Sequence, residues 1–154
     1  MKTLQYRFAA DDGDHAVEFV KVAGTGDTRD FCITTTPVTQ AAWAHVTGER
    51  PAGEYHPRWP AHCSWHQITA PGGFLDRLNT SAILPAVAGP GTSARFRLPN
   101  VWEWCQDLCG DGDGERRLRG GCHHNWDIHC TVAFRYGLAP DQRGDGVGVR
   151  LALS

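Results

Sequence analysis

Glycine and proline interrupt this chain so often that no long helix and no regular βαβ series fits between them. The sequence holds 18 Gly and 9 Pro in 154 residues. The strongest breaks are "PGG" at 71–73, "GDGDG" at 110–114, "GG" at 120–121 and "RGDGVG" at 143–148. Each favours turns because Gly reaches backbone angles closed to other residues, while Pro withholds an N–H from helix and sheet alike. The expectation is α+β architecture: two short helices, small antiparallel sheets and high loop content.

Between the breaks, the periodicity places the elements. Residues 4–8 and 16–23 read as strands, the second rich in β-branched and aromatic side chains ("AVEFVKVA"), with "DDGD" turning between them. "FCIT" at 31–34 is another short strand. In "TPVTQAAWAHVTG", Val38, Ala42 and Val46 fall four apart with Trp43 adjacent, Thr39 is placed to cap and Gly48 to terminate, so a short amphipathic helix is expected. A second helix carries Phe74, Leu75 and Leu78 on one face, and Pro71-Gly72-Gly73 requires it to start late or to break. The stretch from Ile83 to about Arg97 reads as loop. "VGVRLAL" alternates Val147, Val149, Leu151 and Leu153 on one face, as a strand near the core would.

Length and charge narrow the function classes. A chain of this size suits one domain over residues 1–154 and can bury roughly two-thirds of its unfolded surface. The net charge is −2, and Lys and Arg are scattered apart from "ERRLR" at 115–119, so the broad basic face that nucleic acid requires is missing. No stretch approaches the roughly 18 apolar residues of a membrane span, and the N-terminus lacks an apolar signal core. A cytoplasmic protein is expected. Its six cysteines (Cys32, Cys63, Cys105, Cys109, Cys122 and Cys130) are then reduced thiols.

The densest chemistry lies in "RGGCHHNWDIHC", Arg119 to Cys130. Cys122, His123, His124, His129 and Cys130 are all of metal-ligand type, and zinc takes four N or S donors. The spacing, however, is not that of paired zinc knuckles. A four-ligand site would have to recruit Cys105 and Cys109. A Cys122–Cys130 disulfide is geometrically accessible but disfavoured in a reducing compartment. The favoured reading is a surface loop with buried thiols at its ends. Hydrolytic chemistry lacks support, because neither G-x-S-x-G nor H-E-x-x-H occurs.

In order along the chain, "FCITTTPVTQAAWAHVTGERP", "SWHQ" with "FLDRLN", "FRLP", "NVWEWCQD", "LRGG" and "VGVRLAL" resemble the landmarks of the formylglycine-generating enzyme family, the sulfatase-modifying-factor domains. The resemblance spans residues 31–153 and implies a C-type-lectin-like fold. It also implies a structural calcium ion held by Asn100 and Glu103 of "NVWEW"; oxygen donors of this kind suit Ca²⁺. The alternative use of that motif makes Trp102 and Trp104 core anchors and pairs Glu103 with an arginine such as Arg97 or Arg119.

Two departures from the family pattern bear on activity. Long members separate the "RLP" motif from "NVWEW" by many tens of residues, whereas here Arg97-Leu98-Pro99 leads directly into Asn100. Catalytic members resemble "GGS-aromatic-x-C-x4-C", whose two cysteines hold copper(I). Aligned on the glycines, Cys130 matches the second cysteine and Asn125 replaces the first. A neutral amide is a poor ligand for soft copper(I), which argues against catalysis.

Compact members of the family include variable proteins of diversity-generating retroelements, which present a ligand-binding surface after "RGG". Where those sequences carry Ser, Trp and Asn, this one has Cys122, His123, His124, His129, Tyr136, Leu138, Gly144, Asp145 and Gly146; framework positions such as Gly120, Gly121, Cys130, Arg135 and Arg150 are retained. Mutation of adenines in Asn codons yields His, Tyr, Leu, Asp or Gly; Trp126 does not follow that rule. The resemblance therefore implies a module that binds or displays a protein or small-molecule ligand through Cys122, His123, His124, Asn125, Trp126, His129, Tyr136, Leu138 and Asp145. A variable protein would be displayed or phage-associated. The runner-up is a shortened copper- or iron-dependent sulfur oxidase using Cys130 with Cys122 or a histidine.

Overall fold

A computed structural model describes residues 3–24, 26, 30–51, 53–80, 101–109, 114–122, 124–131, 133–144 and 146–153. The loop expected at Ile83–Arg97, the "FRLP" motif, Asn100, the first four residues of "GDGDG", His123 and Asp145 lie outside the described residues.

The N-terminal hairpin pairs β1 (Leu4–Ala10) with β2 (Gly13–Val22), in register from Leu4 opposite Phe19 to Ala10 opposite Gly13. Two residues, Asp11 and Asp12, suffice for the turn because Gly13 takes φ 120°, a backbone angle that favours glycine. β3 (Phe31–Thr34) adds to β2, and β8 (Ala152–Leu153) adds to β3, completing a four-stranded antiparallel sheet in the order β1-β2-β3-β8. Phe8 and Phe19 enter the core from this hairpin.

The first helix, α1 (Gln40–Thr47), starts and stops where its sequence signals lie. Thr39 accepts the Ala42 amide through its hydroxyl oxygen at 3.2 Å, and Gly48, at φ 76°, donates its N–H to the Ala44 carbonyl at 2.8 Å. The second helical stretch is broken, as the Pro-Gly-Gly sequence requires. It forms α2 (Trp65–Thr69) and α3 (Phe74–Thr80). Ser64 and Gln67 close a reciprocal capping box at the start of α2. Phe74 and Leu78 are buried, and the Phe74 ring stacks on Trp43 at 4.8 Å between centroids.

A second sheet has the order β6-β5-β4-β7, with β4 (Trp102–Leu108), β5 (Arg116–Arg119), β6 (Tyr136–Leu138) and β7 (Val147–Gly148). Its β4–β7 pair is parallel, a departure from the expected all-antiparallel pairing. The C-terminal run departs as well: "VGVRLAL" is not one strand. Val147–Gly148 belongs to the second sheet and Ala152–Leu153 to the first, with the chain crossing between them. The alternation in the sequence reports burial, and Val147, Val149 and Leu151 are all buried. It carries no information on the pairing partner, which changes along the segment. Val149 O accepts from Val38 N at 2.8 Å, and Leu151 O accepts from Thr34 N at 2.9 Å.

The two sheets and the helices share a core in which Phe19, Phe74, Ile68, Leu118 and Cys63 are the largest fully enclosed side chains. The break between α2 and α3 is tightly packed. A Cβ on Gly73 would stand 2.7 Å from the Ala70 carbonyl oxygen and 2.9 Å from that of Gln67. Both obstructions are backbone and cannot swing aside. Gly73→Ala is therefore expected to destabilise the protein by about 2 kcal/mol, the scale of overpacking, measured by urea unfolding; an unchanged midpoint would contradict the packing described.

Candidate functional site

The loop between β5 and β6 begins with two glycines for a physical reason. Gly120 and Gly121 take φ 101° and 73°. A Cβ on Gly121 would stand 2.6 Å from Cys130 Sγ and 3.0 Å from its Cα, so the end of the loop folds directly over its beginning. Gly146 plays the same part from the other side, where a Cβ would stand 2.9 Å from Cys122 Sγ. Cys122 is thus enclosed, 8% exposed and part of the core.

Asn125 organises the loop from within. Its side-chain oxygen accepts the Trp102 indole N–H at 2.7 Å, the Cys122 amide at 3.0 Å and the Cys122 thiol at 2.9 Å. An amide oxygen has two lone pairs and a thiol is a weak donor, so the indole and the backbone amide provide the principal bonds. The Asn125 amide donates in turn to the Cys122 carbonyl at 2.9 Å, closing a turn through both main chain and side chain. A 3₁₀ turn over Asp127–His129 follows, closed by His129 N to Trp126 O at 2.8 Å.

Above this frame the loop presents apolar side chains to solvent. Trp126 is 79% exposed, Ile128 70% and Tyr136 50%, and His124 is exposed too. Beneath them lies an aromatic layer. His129 packs on Phe134 (4.7 Å between centroids), while Phe134 and Tyr136 tilt against Trp102 at 5.8 and 5.7 Å. Leu138 is half-buried against the core.

The residues expected to form one contact surface therefore occupy different depths. His124, Trp126 and Tyr136 are outward, and His129 lies at the edge. Cys122, Asn125 and Leu138 lie within or partly within the protein. Three contributors were not singled out from sequence: Ile128 as an outward residue, and Phe134 and Trp102 as the floor. The available signal was Ile128 itself, an apolar residue two positions from Trp126 in the same loop. Trp102 becomes part of the site only through contacts with distant residues, Asn125, Phe134 and Tyr136, invisible to local pattern.

The metal expectations meet specific donors. Glu103, on β4, faces Arg150: Nε stands 2.6 Å from Oε1, and neither atom has another hydrogen-bond partner among the described residues. The partner is Arg150, where the sequence suggested Arg97 or Arg119. Both side chains are nearly enclosed, 12% and 13% exposed. Burial pushes the Glu103 carboxyl up, and the nearby guanidinium draws it partly back. A carboxylate already matched to a buried cation does not fit a calcium site, because Arg150 would oppose the ion. The paired thiolates of the family's copper site are not reproduced at Asn125, whose oxygen is engaged by hydrogen-bond donors and which is an amide, not a thiolate.

All six cysteines are free thiols. Burial pushes Cys63 up to about 12 and raises Cys105 as well, so neither is poised as a thiolate. Among the described residues, no group of three or more His, Cys, Asp or Glu side chains converges as a metal site. No helix among them is long and apolar enough to cross a membrane.

Two small sheets joined by a crossing C-terminal segment, with a long loop between β5 and β6, define a C-type-lectin-like α+β fold. Four solved chains match it. One is "Treponema denticola variable protein 1", similar with a TM-score of 0.63 over 97% of this chain and 99% of that one, at 17% sequence identity. Residues 98–154 match the family model of the sulfatase-modifying factor enzyme 1-like domain. No curated protein matches the chain.

Two outcomes follow from this geometry. Asn125→Ala removes the acceptor from a part-buried indole and an amide, and is expected to cost about 2–4 kcal/mol, on the scale of buried donors left unsatisfied. Urea unfolding measures the loss, and a change within error would remove Asn125 from its organising role. Arg150→Met leaves Glu103 buried without its cation and should cost about 3 kcal/mol at neutral pH, with Glu103→Leu/Arg150→Met recovering most of it. The pH dependence has a definite sign. A carboxyl whose folded pKa lies above its unfolded value takes up a proton on folding, so stability is full below the ordinary carboxylate range and falls as pH rises through the folded value. The deficit of Arg150→Met should thus grow from acid to neutral pH; a deficit independent of pH would contradict the pairing.

Proposed function

We propose that this chain is a ligand-binding or display module of the variable-protein type, whose contact surface is centred on Trp126, Ile128 and Tyr136, with His124 and His129 at its margin. The observation that carries the proposal is the exposure of Trp126 and Ile128, 79% and 70%, on a turn held by Asn125. Two large apolar side chains kept in water on this turn gain nothing for folding. They do supply what a binding surface needs: broad contact area on residues with few rotatable bonds. Trp is also among the residues that dominate binding energy when buried at a partner's surface.

The resemblance of the sequence after "RGG" to retroelement variable proteins, and the chain-wide likeness in fold to a protein named as a variable protein, support the same reading. On this reading the loop keeps its frame, Gly121, Cys122, Asn125 and Cys130, while its outward residues are free to vary. Catalysis through Cys130 and Cys122 is disfavoured because the Cys122 thiol is enclosed and directed to Asn125.

The direct test is a displayed library of small proteins and peptides selected on the wild-type chain and then counter-screened on a Trp126→Ala/Ile128→Ala variant. Binders are expected to lose at least about tenfold in affinity on the variant, the loss of one strong apolar anchor. Selected binders indifferent to both substitutions would place the contact surface elsewhere. In the source DNA, a near-copy of codons 119–150 beside a reverse transcriptase would support the retroelement origin; its absence would leave a generic binding module.

A further inference from the structure

The first sheet, in the order β1-β2-β3-β8, has β1 and β8 as its edges, of seven and two residues. Among the described residues, no main chain outside β2 is bonded to β1. An open edge is a template for another strand, and proteins usually guard it with Pro, a bulge, several charges or shortness. β1 has none of these. Its sequence holds no Pro, its register with β2 runs unbroken from Leu4 to Ala10, and Arg7 is its one charge.

The outward bonds can be assigned residue by residue. Asp11 and Asp12 make a two-residue turn closed by Ala10 opposite Gly13, and the closing pair of such a turn is a hydrogen-bonded one. Bonding then alternates along the ladder. Ala10, Phe8, Tyr6 and Leu4 aim their N–H and C=O groups at β2, while Ala9, Arg7 and Gln5 aim theirs away from the sheet. The side chains of those last three are also exposed, whereas Leu4 and Tyr6 are half-buried and Phe8 is buried on the core side.

We infer that β1 pairs antiparallel with β1 of a second copy of this chain, about a twofold axis at Tyr6, so that two four-stranded sheets become one continuous sheet. Side-chain complementarity selects this occupant and this register. An axis at Arg7 would set two guanidinium groups directly opposite each other, which is destabilising. An axis at Phe8 would carry Gln5 onto the turn residue Asp11 and cut the ladder short. With the axis at Tyr6, Gln5 stands opposite Arg7 of the second copy in a hydrogen-bonded pair. The two side chains suit each other, since within one chain Arg7 Nη2 already donates to Gln5 Oε1 at 2.9 Å. On the core side Leu4 meets Phe8 of the second copy. The two Tyr6 side chains meet at a non-hydrogen-bonded position, where opposed side chains lie closest.

The loop proposed as the contact surface joins β5 to β6 in the other sheet and has no residue at this edge. The pair would carry two such surfaces, and a partner with repeated epitopes would be held by both.

Sedimentation velocity of the full chain, from about 1 μM to about 1 mM, spans dissociation constants from moderate to weak and tests the inference. The expected result is a dimer whose share rises with concentration. Arg7→Pro removes an outward N–H and leaves the β1–β2 bonds in place, an orientation in which edge strands tolerate Pro. Gln5→Arg, on an exposed side chain, sets a second cation opposite Arg7 of the second copy. Each should raise the dissociation constant about tenfold, because twofold symmetry counts each substitution twice. Thermal melting establishes that each variant is folded. A chain that stays monomeric throughout would leave the edge to a strand of another protein and overturn the inference. A dimer that both folded variants retain in full would overturn it too, since the contact would lie on another surface.

Discussion

The C-terminal segment is the constraint on which the two-sheet arrangement depends. Over seven residues, 147–153, it is a strand of one sheet, then a crossing, then a strand of the other. Its main chain is bonded in turn to β4, to the residue before α1's cap and to the end of β3. The crossing succeeds because it is also apolar: Val147, Val149 and Leu151 all turn into the core. Arg150, between two of them, cannot do so alone and is matched by Glu103. The pair lies where the segment leaves the second sheet, two residues past the Glu103–Gly148 register. A buried ion pair is weak as a source of net stability, but it is costly to break from one side. Here it also favours one alignment of the segment on β4.

The same segment sets up the surface loop. Gly146 O accepts the Trp102 amide, placing the start of β4, and the Trp102 side chain then offers its indole N–H to Asn125. From Asn125 the turn is fixed, and with it the outward position of Trp126. The loop thus separates two duties. Glycine, cysteine and asparagine in its frame determine its shape, and the residues between them determine what it meets. A scaffold with this division can change its contact chemistry without disturbing its fold, because the outward residues make few of the contacts that hold the loop in place.

Much of this was legible in the sequence where the governing contacts are local. The cap at Thr39, the stop at Gly48, the strand at Phe31–Thr34 and the break at Pro71-Gly72-Gly73 depend on neighbours within a few residues, and each appears as read. The family landmarks made the C-type-lectin-like fold legible too. What could not be read were the long-range pairings. Hydrophobic alternation at 147–153 gives the buried face but not the exchange of sheets, and nothing near Glu103 selects Arg150 over Arg119. Within the candidate site, residue type alone grouped Cys122 and Asn125 with Trp126. Depth separates them, and depth is set by Gly146 and Trp102 from distant parts of the chain.

The division between frame and display is the central claim, and a stability-sorted scan of single substitutions through the loop and its flanks tests it most directly. The account predicts that Trp126 and Ile128 accept polar and apolar replacements with stability changes within about 0.5 kcal/mol, as exposed positions do. Gly121, Asn125 and Gly146 should tolerate almost nothing, because their replacements meet backbone, sulfur or an unsatisfied indole. If Trp126 and Ile128 prove as intolerant as Asn125, they are part of the frame, and the account is contradicted.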